Sequence, residues 1–142
     1  MRGEAIQLVD GGRQRRSFTY VDDGIDALIR IIENPGRVAS GKIYNVGHPG
    51  NNLSIRQLAT LMIKTALAYP EYRERAKQVR IVSTTSRQYY GAGYQDMQNR
   101  VPNIAATRRD LAWRPRTGMR EALRRTYDAY RQHITEARRL VT

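Results

Sequence analysis

The stretch from Gln7 to Phe18 constrains the fold of this chain more than any other, because it joins a strand pattern to a glycine turn and then to a cluster of arginines. Ile6 and Leu8 alternate with polar residues, which predicts a half-buried strand, and Asp10-Gly11-Gly12 is a turn signal in which glycine adopts positive φ without steric cost. The chain then returns through the arginines of segment 13–16. A guanidinium binds phosphate oxygens through two parallel hydrogen bonds, so this order of residues suits a diphosphate.

The returning segment is expected to be a strand, which fixes the direction of its side chains. Alternate residues of a strand face the same way, so Gln14, Arg16 and Phe18 should share one face. Arg13 and Arg15 should then point to the other. Arginines beside a turn are also common as solvated surface residues, and composition alone favours that alternative. The residues that follow Phe18 favour a binding role.

The net charge of the chain supports a rival function. The 142 residues include 25 basic and 13 acidic side chains, a balance of +12 that is typical of nucleic-acid-binding proteins. All but three of the basic residues are arginines, and they are spread among acidic residues on predicted helices. No zinc-finger spacing, aromatic RNA-binding consensus or basic region running into heptads accompanies them. An arginine-rich nucleic-acid-binding module is therefore the less favoured alternative.

Composition excludes several other classes of protein. A chain with 40% hydrophobic and 27% charged residues is not of a disordered type and can form one modest core. The absence of cysteine excludes a disulfide framework and a thiolate metal site, while His48 and His133 have no partner at ligand or triad spacing. No apolar run reaches membrane-spanning length and no secretory segment follows Met1, so we expect a cytoplasmic protein without a membrane partner.

Helix signals divide the first half of the chain. A helix is predicted from Val21 to Glu33, ended by Asn34-Pro35-Gly36, and its apolar stripe is expected to be buried: Ile25, Leu28, Ile29 and Ile32. The run from Lys42 to Gly47 predicts a short strand with an exposed edge. Ser54 and Gln57 form a capping box that begins a helix reaching about Ala68.

The second half is predicted less completely. Pro70 and Glu71 are expected to begin a polar connection, and Gln78 to Ser83 alternates like a strand. Trp113 is expected in the core, and a last helix should begin near Gly118. Between them, the residues from Tyr89 to Arg100 are expected to form a loop, because Gly91 and Gly93 disfavour a helix.

That loop is a candidate site. Two tyrosines, an amide and a guanidinium could recognise a sugar and its carboxylate through planar hydrogen bonds. An ordinary surface loop is the alternative reading.

Two blocks of sequence carry a family resemblance. The turn at 11–12, Arg16, Phe18 and the following Val21-Asp22-Asp23 resemble the extended short-chain dehydrogenase/reductases, the NAD-dependent epimerase/dehydratase family. The block from Ser83 to Asn103 is similar to the UDP-glucuronate oxidative decarboxylases of that family, which act in aminoarabinose modification of lipid A and in polymyxin resistance. The resemblance extends over nearly all of the chain.

The resemblance implies a fold, a ligand and site residues. The fold would be α/β, the C-terminal substrate-binding part of an extended short-chain dehydrogenase with one remnant strand of the Rossmann sheet. The ligand would be UDP-glucuronate or a related UDP-sugar, the full-length enzyme would use NAD, and the parent enzyme would form a homo-oligomer. Arg100 is the residue implied as proton donor, and the substrate-binding residues implied are Gln7, Asp10, Gly11, Gly12, Arg13, Gln14, Arg15, Arg16 and Tyr94.

Two motifs of the family are missing from this sequence. No glycine-rich dinucleotide fingerprint occurs, and none of the nine tyrosines is followed four places later by lysine. We therefore interpret residues 1–142 as a single C-terminal portion that lacks the N-terminal Rossmann domain, binds no cofactor itself and is inactive alone. A xylose-forming decarboxylase or an epimerase is the alternative enzyme, against which the loop from Tyr94 to Arg100 argues.

Overall fold

The computed structural model describes residues 3–93 and 96–132. This part of the chain is a mixture of short strands and helices, so the α/β class predicted from the sequence is confirmed. In chain order, the elements are β1 (Ile6–Val9), β2 (Arg15–Ser17), α1 (Val21–Glu33), β3 (Asn52–Ser54), α2 (Ile55–Leu67), α3 (Pro70–Gln78), β4 (Ile81–Thr84), α4 (Ser86–Tyr90), β5 (Asn99–Arg100), α5 (Ala105–Leu111) and α6 (Met119–Gln132).

The strands form two small sheets. β1 pairs in parallel with β4, with Ile6 opposite Ile81 and Val9 opposite Thr84. In the second sheet the order is β3-β2-β5, where β2 is antiparallel to β3 and parallel to β5. β1 and β2 therefore do not form a hairpin, and the turn between them carries the chain from one sheet to the other.

The strand expected after the turn begins later than predicted. Arg13 has helical backbone angles, φ −76° and ψ −29°, and β2 begins only at Arg15. The alternation of faces therefore applies to Arg15 and Arg16 but not to Arg13. The prediction that Arg13 shares a strand face with Arg15 is wrong, because the tight turn extends one residue further than its glycines indicate.

Trp113 lies at the centre of the main hydrophobic cluster, as predicted from the sequence. Its side chain is completely buried, and it packs with Ala27 of α1, Ala39, Ile104 and Leu111. The indole Nε1 donates to the backbone oxygen of Asp23 at 2.9 Å. This hydrogen bond satisfies the one polar atom of the buried indole.

A buried carboxylate joins the first and last helices. Asp23 is 8% exposed, and its Oδ2 accepts hydrogen bonds from the backbone amides of Arg116 and Thr117 at 3.1 and 2.9 Å. These amides lie in the segment that leads into α6. A side chain at the start of α1 thus fixes the path of the chain some ninety residues later.

A second cluster packs α2, α3 and α6 together. The rings of Tyr69, Tyr72 and Tyr127 lie 5.5–6.0 Å apart, beside the buried Ala66 and Ala76. The prediction of a polar connection at Pro70 is wrong, because α3 begins there. Proline is well tolerated at the first helical position, where its missing amide hydrogen has no intrahelical partner.

The predicted ends of α1, α2 and α6 that rest on local sequence signals are confirmed. α1 has the predicted bounds, and Asn34 ends it in the left-handed conformation at φ 43°. The capping box is present, with Ser54 Oγ accepting from the amide of Gln57 and Gln57 Oε1 accepting from the amide of Ser54. α6 begins at Met119, next to the predicted start at Gly118.

The predicted buried stripe of α1 is wrong. Its four residues are 47–80% exposed: Ile25, Leu28, Ile29 and Ile32. The helix instead buries Asp23 and Ala27, with Ile31 packed beside them, against the Trp113 cluster. Within residues 3–93 and 96–132 no element covers the isoleucine-rich side. The amphipathic pattern correctly identified an apolar face, but the face in contact with this part of the chain is a different one.

The segment from Lys42 to Gly47 is not the predicted strand. It pairs with no strand in the described part of the chain, and Ile43 is 95% exposed. Side chains hold the segment: Asp110 of α5 accepts from Lys42 Nζ at 2.9 Å and from the Tyr44 hydroxyl at 3.1 Å. The prediction failed because a strand needs a hydrogen-bonded neighbour, which a short sequence cannot supply.

None of the helices between residues 3 and 132 that the structure describes is long and apolar enough to cross a membrane.

Replacement of Asp23 by alanine should destabilise the fold strongly. Asp23→Ala leaves one buried and one partly buried amide without an acceptor, and the loss should be about 2–4 kcal/mol in the free energy of unfolding. Urea unfolding of the variant measures it. The matched control is Asp22→Ala, since that neighbouring carboxylate is largely exposed and lies 3.9 Å from Arg125. Equal losses for the two variants would contradict the proposed anchoring role.

Asp110 should make the fold sensitive to acid. Hydrogen bonds from Arg109 and Lys42 hold the pKa of Asp110 well below its ordinary value of 3.8. A carboxyl group whose pKa is lower in the folded than in the unfolded state stabilises the fold at pH values above its unfolded-state pKa. This stabilisation is lost as the pH falls from the unfolded-state pKa through the folded-state pKa. Between pH 5 and pH 2 the urea concentration at the unfolding midpoint should fall more in the wild type than in Asp110→Asn. Asp26→Asn, which removes a carboxylate paired within its own helix, should behave like the wild type.

Candidate functional site

The turn from Asp10 to Gly12 is anchored by three different elements. The amide of Gly11 donates to Ser83 Oγ on β4 at 3.0 Å, and Arg56 Nε of α2 donates to the Gly11 oxygen at 2.8 Å. Asp10 Oδ1 accepts from the amide of Ser86 at the start of α4 at 2.9 Å. The turn therefore has a fixed position relative to β4, α2 and α4, and it directs the arginines that follow.

Glycine is required at the end of this turn. Gly12 has a φ of +65°, and a Cβ there would lie 3.0 Å from the backbone nitrogen of Arg56 and 3.0 Å from Leu8 Cδ1. At Gly11, whose φ is +71°, the nearest atom to a Cβ is the end of the Arg56 side chain at 3.7 Å. Both positions favour glycine through their backbone angles, but only Gly12 also lacks the space for a side chain.

β2 and β5 bring two predicted site residues together. The parallel register places Arg16 directly opposite Arg100, and Arg15 opposite Asn99. Directly opposed residues in neighbouring parallel strands extend to the same face of the sheet, about 5 Å apart. Arg16 and Arg100 are thus side by side, although 84 positions separate them in the sequence.

Arg15 lies on the opposite face of the same sheet. Its guanidinium donates to the backbone oxygen of Asn52 at 2.5 Å and to Gln57 Oε1 at 3.3 Å. Asn52 Nδ2 in turn donates to Asn99 Oδ1 at 3.2 Å. The expectation that Arg15 and Arg16 face opposite ways is confirmed, and Arg15 serves to tie β2 to β3 and α2.

The guanidinium of Arg16 is held by the segment that precedes β5. Its Nη2 forms an ion pair with Asp96 Oδ1 at 2.5 Å, and its Nη1 donates to the Met97 oxygen at 2.8 Å. Arg100 reaches the same residue, with Nη2 at 3.1 Å from Met97 Sδ. Met97 therefore contacts both arginines, and the Asp96 carboxylate forms an ion pair with Arg16.

A cleft of about 420 Å³ opens beside this segment. Its lining combines both signs of charge with hydrogen-bonding groups and consists of Val9, Asp10, Arg13, Gln14, Ser86, Asp96 and Gln98. The cleft lies between the glycine turn and the segment that carries Asp96. Amide side chains and a guanidinium converge there, which suits a polar ligand with anionic and sugar-like groups.

The predicted site residues do not all lie at the cleft. Asp10, Arg13 and Gln14 line it, and the glycines shape the adjoining turn. Gln7 is exposed on β1 and is not among the lining residues. Tyr94, also predicted from the sequence, lies outside the described residues.

Sequence reasoning missed Ser86, Asp96 and Gln98, all of which line the cleft. It also described the whole stretch from Tyr89 as a loop, which is wrong for its first two residues because α4 ends at Tyr90. A capping box of Thr85 and Gln88 begins this helix and was a readable signal. Asp96 carried no such signal, because its importance comes from its distance to Arg16.

The described residues do not form a cofactor site. No group of three or more metal-ligating side chains occurs within the ranges 3–93 and 96–132. A dinucleotide site needs a glycine turn between a strand and the start of a helix. Here the glycine turn after β1 leads into β2, so these residues do not fit NAD.

Comparison with solved structures identifies the type of fold. The PbgP3 protein from Burkholderia pseudomallei superposes with a TM-score of 0.84 and is 51% identical over 96% of this chain. UDP-glucose 4-epimerase from Thermotoga maritima, 22% identical over 94% of this chain, superposes with a TM-score of 0.66. dTDP-glucose 4,6-dehydratase from Bacillus anthracis, 17% identical over 92%, gives 0.63. The last two likenesses concern the fold alone.

The fold is therefore that of part of a short-chain dehydrogenase/reductase domain. The family model of the NAD-dependent epimerase/dehydratases also matches residues 1–47. The resemblance to the NAD-dependent epimerase/dehydratase family that the sequence indicated is therefore confirmed by the match over residues 1–47. It spans only 37% of the PbgP3 chain, 37% of the epimerase chain and 35% of the dehydratase chain.

The two glycines of the turn should respond differently to substitution. Gly11→Ala introduces only the strain of a positive φ, about 1 kcal/mol, whereas Gly12→Ala adds a clash with backbone and should lose about 2–4 kcal/mol. Chemical unfolding measures both. Gly24→Ala on α1, where no atom lies within 4 Å of the added carbon, is the control and should not destabilise. Similar losses at Gly11 and Gly12 would contradict the close approach of α2.

Proposed function

We propose that this chain is the sugar-nucleotide-binding part of an NAD-dependent UDP-glucuronate decarboxylase. Such an enzyme oxidises the sugar at C4, and the resulting β-keto acid loses carbon dioxide to give a UDP-4-ketopentose. The observation that carries the proposal is the pairing of Arg16 with Arg100 across β2 and β5. UDP-glucuronate has two anionic groups, the diphosphate and the sugar carboxylate, and each can pair with one of the two adjacent guanidinium groups.

The electrostatics of the pair favour an anionic ligand. Two guanidinium groups on neighbouring strands repel each other, and this repulsion is reduced when negative charge enters between them. Arg16 follows the glycine turn and is proposed to bind the diphosphate through its planar donors. Arg100 ends the segment beside the cleft and is proposed to bind the sugar carboxylate.

Arg100 is better suited to electrostatic work than to proton transfer. A guanidinium stays protonated up to a pH of about 12, while a general acid works best with a pKa near the operating pH. Arg100 can hold the carboxylate before it leaves and stabilise the negative charge that develops on the enolate afterwards. No step of the oxidation is assigned to the described residues, because they do not fit a dinucleotide.

The exposed apolar face of α1 supports a further polypeptide segment as the partner. Ile25, Leu28, Ile29 and Ile32 form a stripe that is at least 47% exposed at each position, and Ile43 is 95% exposed. An apolar surface of this extent usually marks an interface. PbgP3 has almost two thirds of its chain outside the matched region. We propose that a cofactor-binding polypeptide segment covers this surface.

Binding of UDP-glucuronate to the chain is the direct test. Calorimetry should give measurable affinity, and Arg16→Ala should weaken it about tenfold or more, through loss of a charge-assisted contact worth about 1.5–3 kcal/mol. The control is Arg120→Ala on α6, which removes the same charge from an exposed position. Equal losses for the two variants would indicate diffuse electrostatics and favour the nucleic-acid alternative.

Comparison of two sugars tests the role of Arg100. Arg100→Met should weaken UDP-glucuronate about tenfold and leave UDP-glucose unchanged, because UDP-glucose has no carboxylate. A chain that binds UDP-glucose as well as UDP-glucuronate, with no effect of Arg100→Met, would favour an epimerase. With NAD added, the chain alone is expected to release no carbon dioxide from UDP-glucuronate.

A further inference from the structure

We propose that Asp96 is an internal counter-anion that competes with the diphosphate for Arg16 and thereby sets the affinity of the site and its preference for highly charged ligands. The inference rests on the proposed function and adds a residue that determines specificity. Its starting point is the ion pair between Asp96 Oδ1 and Arg16 Nη2 at 2.5 Å, in which the two side chains are 29% and 25% exposed.

The donors of Arg16 are largely committed within the protein. Nη1 donates to the backbone oxygens of Arg15 and Met97, and Nη2 donates to Asp96. A guanidinium has five N–H donors, so the three used here leave two for a phosphate, and the side of the guanidinium that faces Asp96 is occupied. A diphosphate can engage Arg16 fully only if it takes the place of the Asp96 carboxylate.

Asp96 also lines the cleft that the ligand would enter. Asp10 lines the same cleft, so two carboxylates face a space that we assign to an anion, and the cationic side chain among the lining residues is Arg13. A phosphate approaching Asp96 in its present position would be repelled. Withdrawal of Asp96 removes this repulsion and releases the Arg16 donors in the same movement.

The neighbouring arginine links this withdrawal to binding. Arg100 lies opposite Arg16 across β2 and β5, so the departure of Asp96 without replacement leaves two guanidinium groups facing each other. A ligand with a single negative charge brings no more charge to the two arginines than the Asp96 carboxylate that it displaces. A diphosphate brings more charge than it displaces, and the exchange therefore favours diphosphates over single carboxylates or sulfonates.

No neighbouring atom restricts the backbone at two glycines upstream of Asp96. Gly91 and Gly93 have φ values of +91° and +86°, and no atom lies within 4 Å of a Cβ built at either position. Glycine rotates between such conformations at little steric cost. After Asp96, in contrast, the chain is fixed by the pairing of β5 with β2.

The test is a double-mutant cycle read out by UDP binding to the 142-residue chain. Asp96→Asn keeps the size of the side chain but removes its charge, and it should bind UDP about fivefold to tenfold more tightly than the wild type. In the Arg16→Ala background, the same substitution should change the affinity less than twofold. Uridine, which has no phosphate, should bind the wild type and Asp96→Asn equally.

The matched control is Asp22→Asn, which makes the same change in net charge on the exposed side of α1. It should leave the affinity for UDP unchanged, and an increase equal to that of Asp96→Asn would overturn the inference. Asp96→Ala provides a second variant should the asparagine fail to fold, which thermal unfolding reveals.

The outcomes separate the inference from the proposed function. Arg16-dependent binding of UDP that is unchanged or weakened by Asp96→Asn would overturn the counter-anion role and leave the proposed function standing, because Asp96 would then only position Arg16. Failure of UDP and UDP-glucuronate to bind the wild type and both Asp96 variants would overturn the two together. Binding that appears only when Asp96 is replaced would support the inference in its strongest form.

Discussion

The site depends on a single backbone constraint, the turn at 10–12 that carries the chain out of the β1–β4 sheet and into the β3-β2-β5 sheet. Three consecutive residues there have positive φ, with values of 48°, 71° and 65°. Such a conformation is stable only where the surroundings determine it. The contacts from β4, α2 and α4 do so, and they fix the direction in which β2 leaves the turn. Arg15 and Arg16 consequently lie on opposite faces of the sheet. Arg15 donates to Asn52 and Gln57, whereas Arg16 contacts the segment that carries Asp96.

The features predicted correctly from the sequence are those decided within a few residues. The capping box at Ser54 needs only the side chain of Gln57 three positions later, and the end of α1 needs only Asn34 in a left-handed conformation. Trp113 lies in the core as predicted, and its one polar atom donates to the backbone oxygen of Asp23. Each of these choices is settled by local geometry or by the size of one side chain.

The features predicted wrongly depend on chain that lies far away. The stripe at Ile25 has the periodicity of a buried face, but burial requires a partner, and on α1 the described residues pack against Asp23, Ala27 and Ile31 instead. The segment at Lys42 has the composition of a strand without a hydrogen-bonded neighbour. Asp96 became important only when the register of β2 and β5 was known, because no pattern in the sequence relates position 96 to position 16.

The distance along the chain between Arg16 and Asp96 determines when their contact can form during synthesis. Arg16 and Asp96 are 80 residues apart in the chain, and synthesis proceeds from the amino end. The arginine-rich turn therefore leaves the ribosome well before the carboxylate that pairs with it. Formation of the Arg16–Asp96 contact is in this sense a late event in biosynthesis, since it closes a loop of more than half the chain.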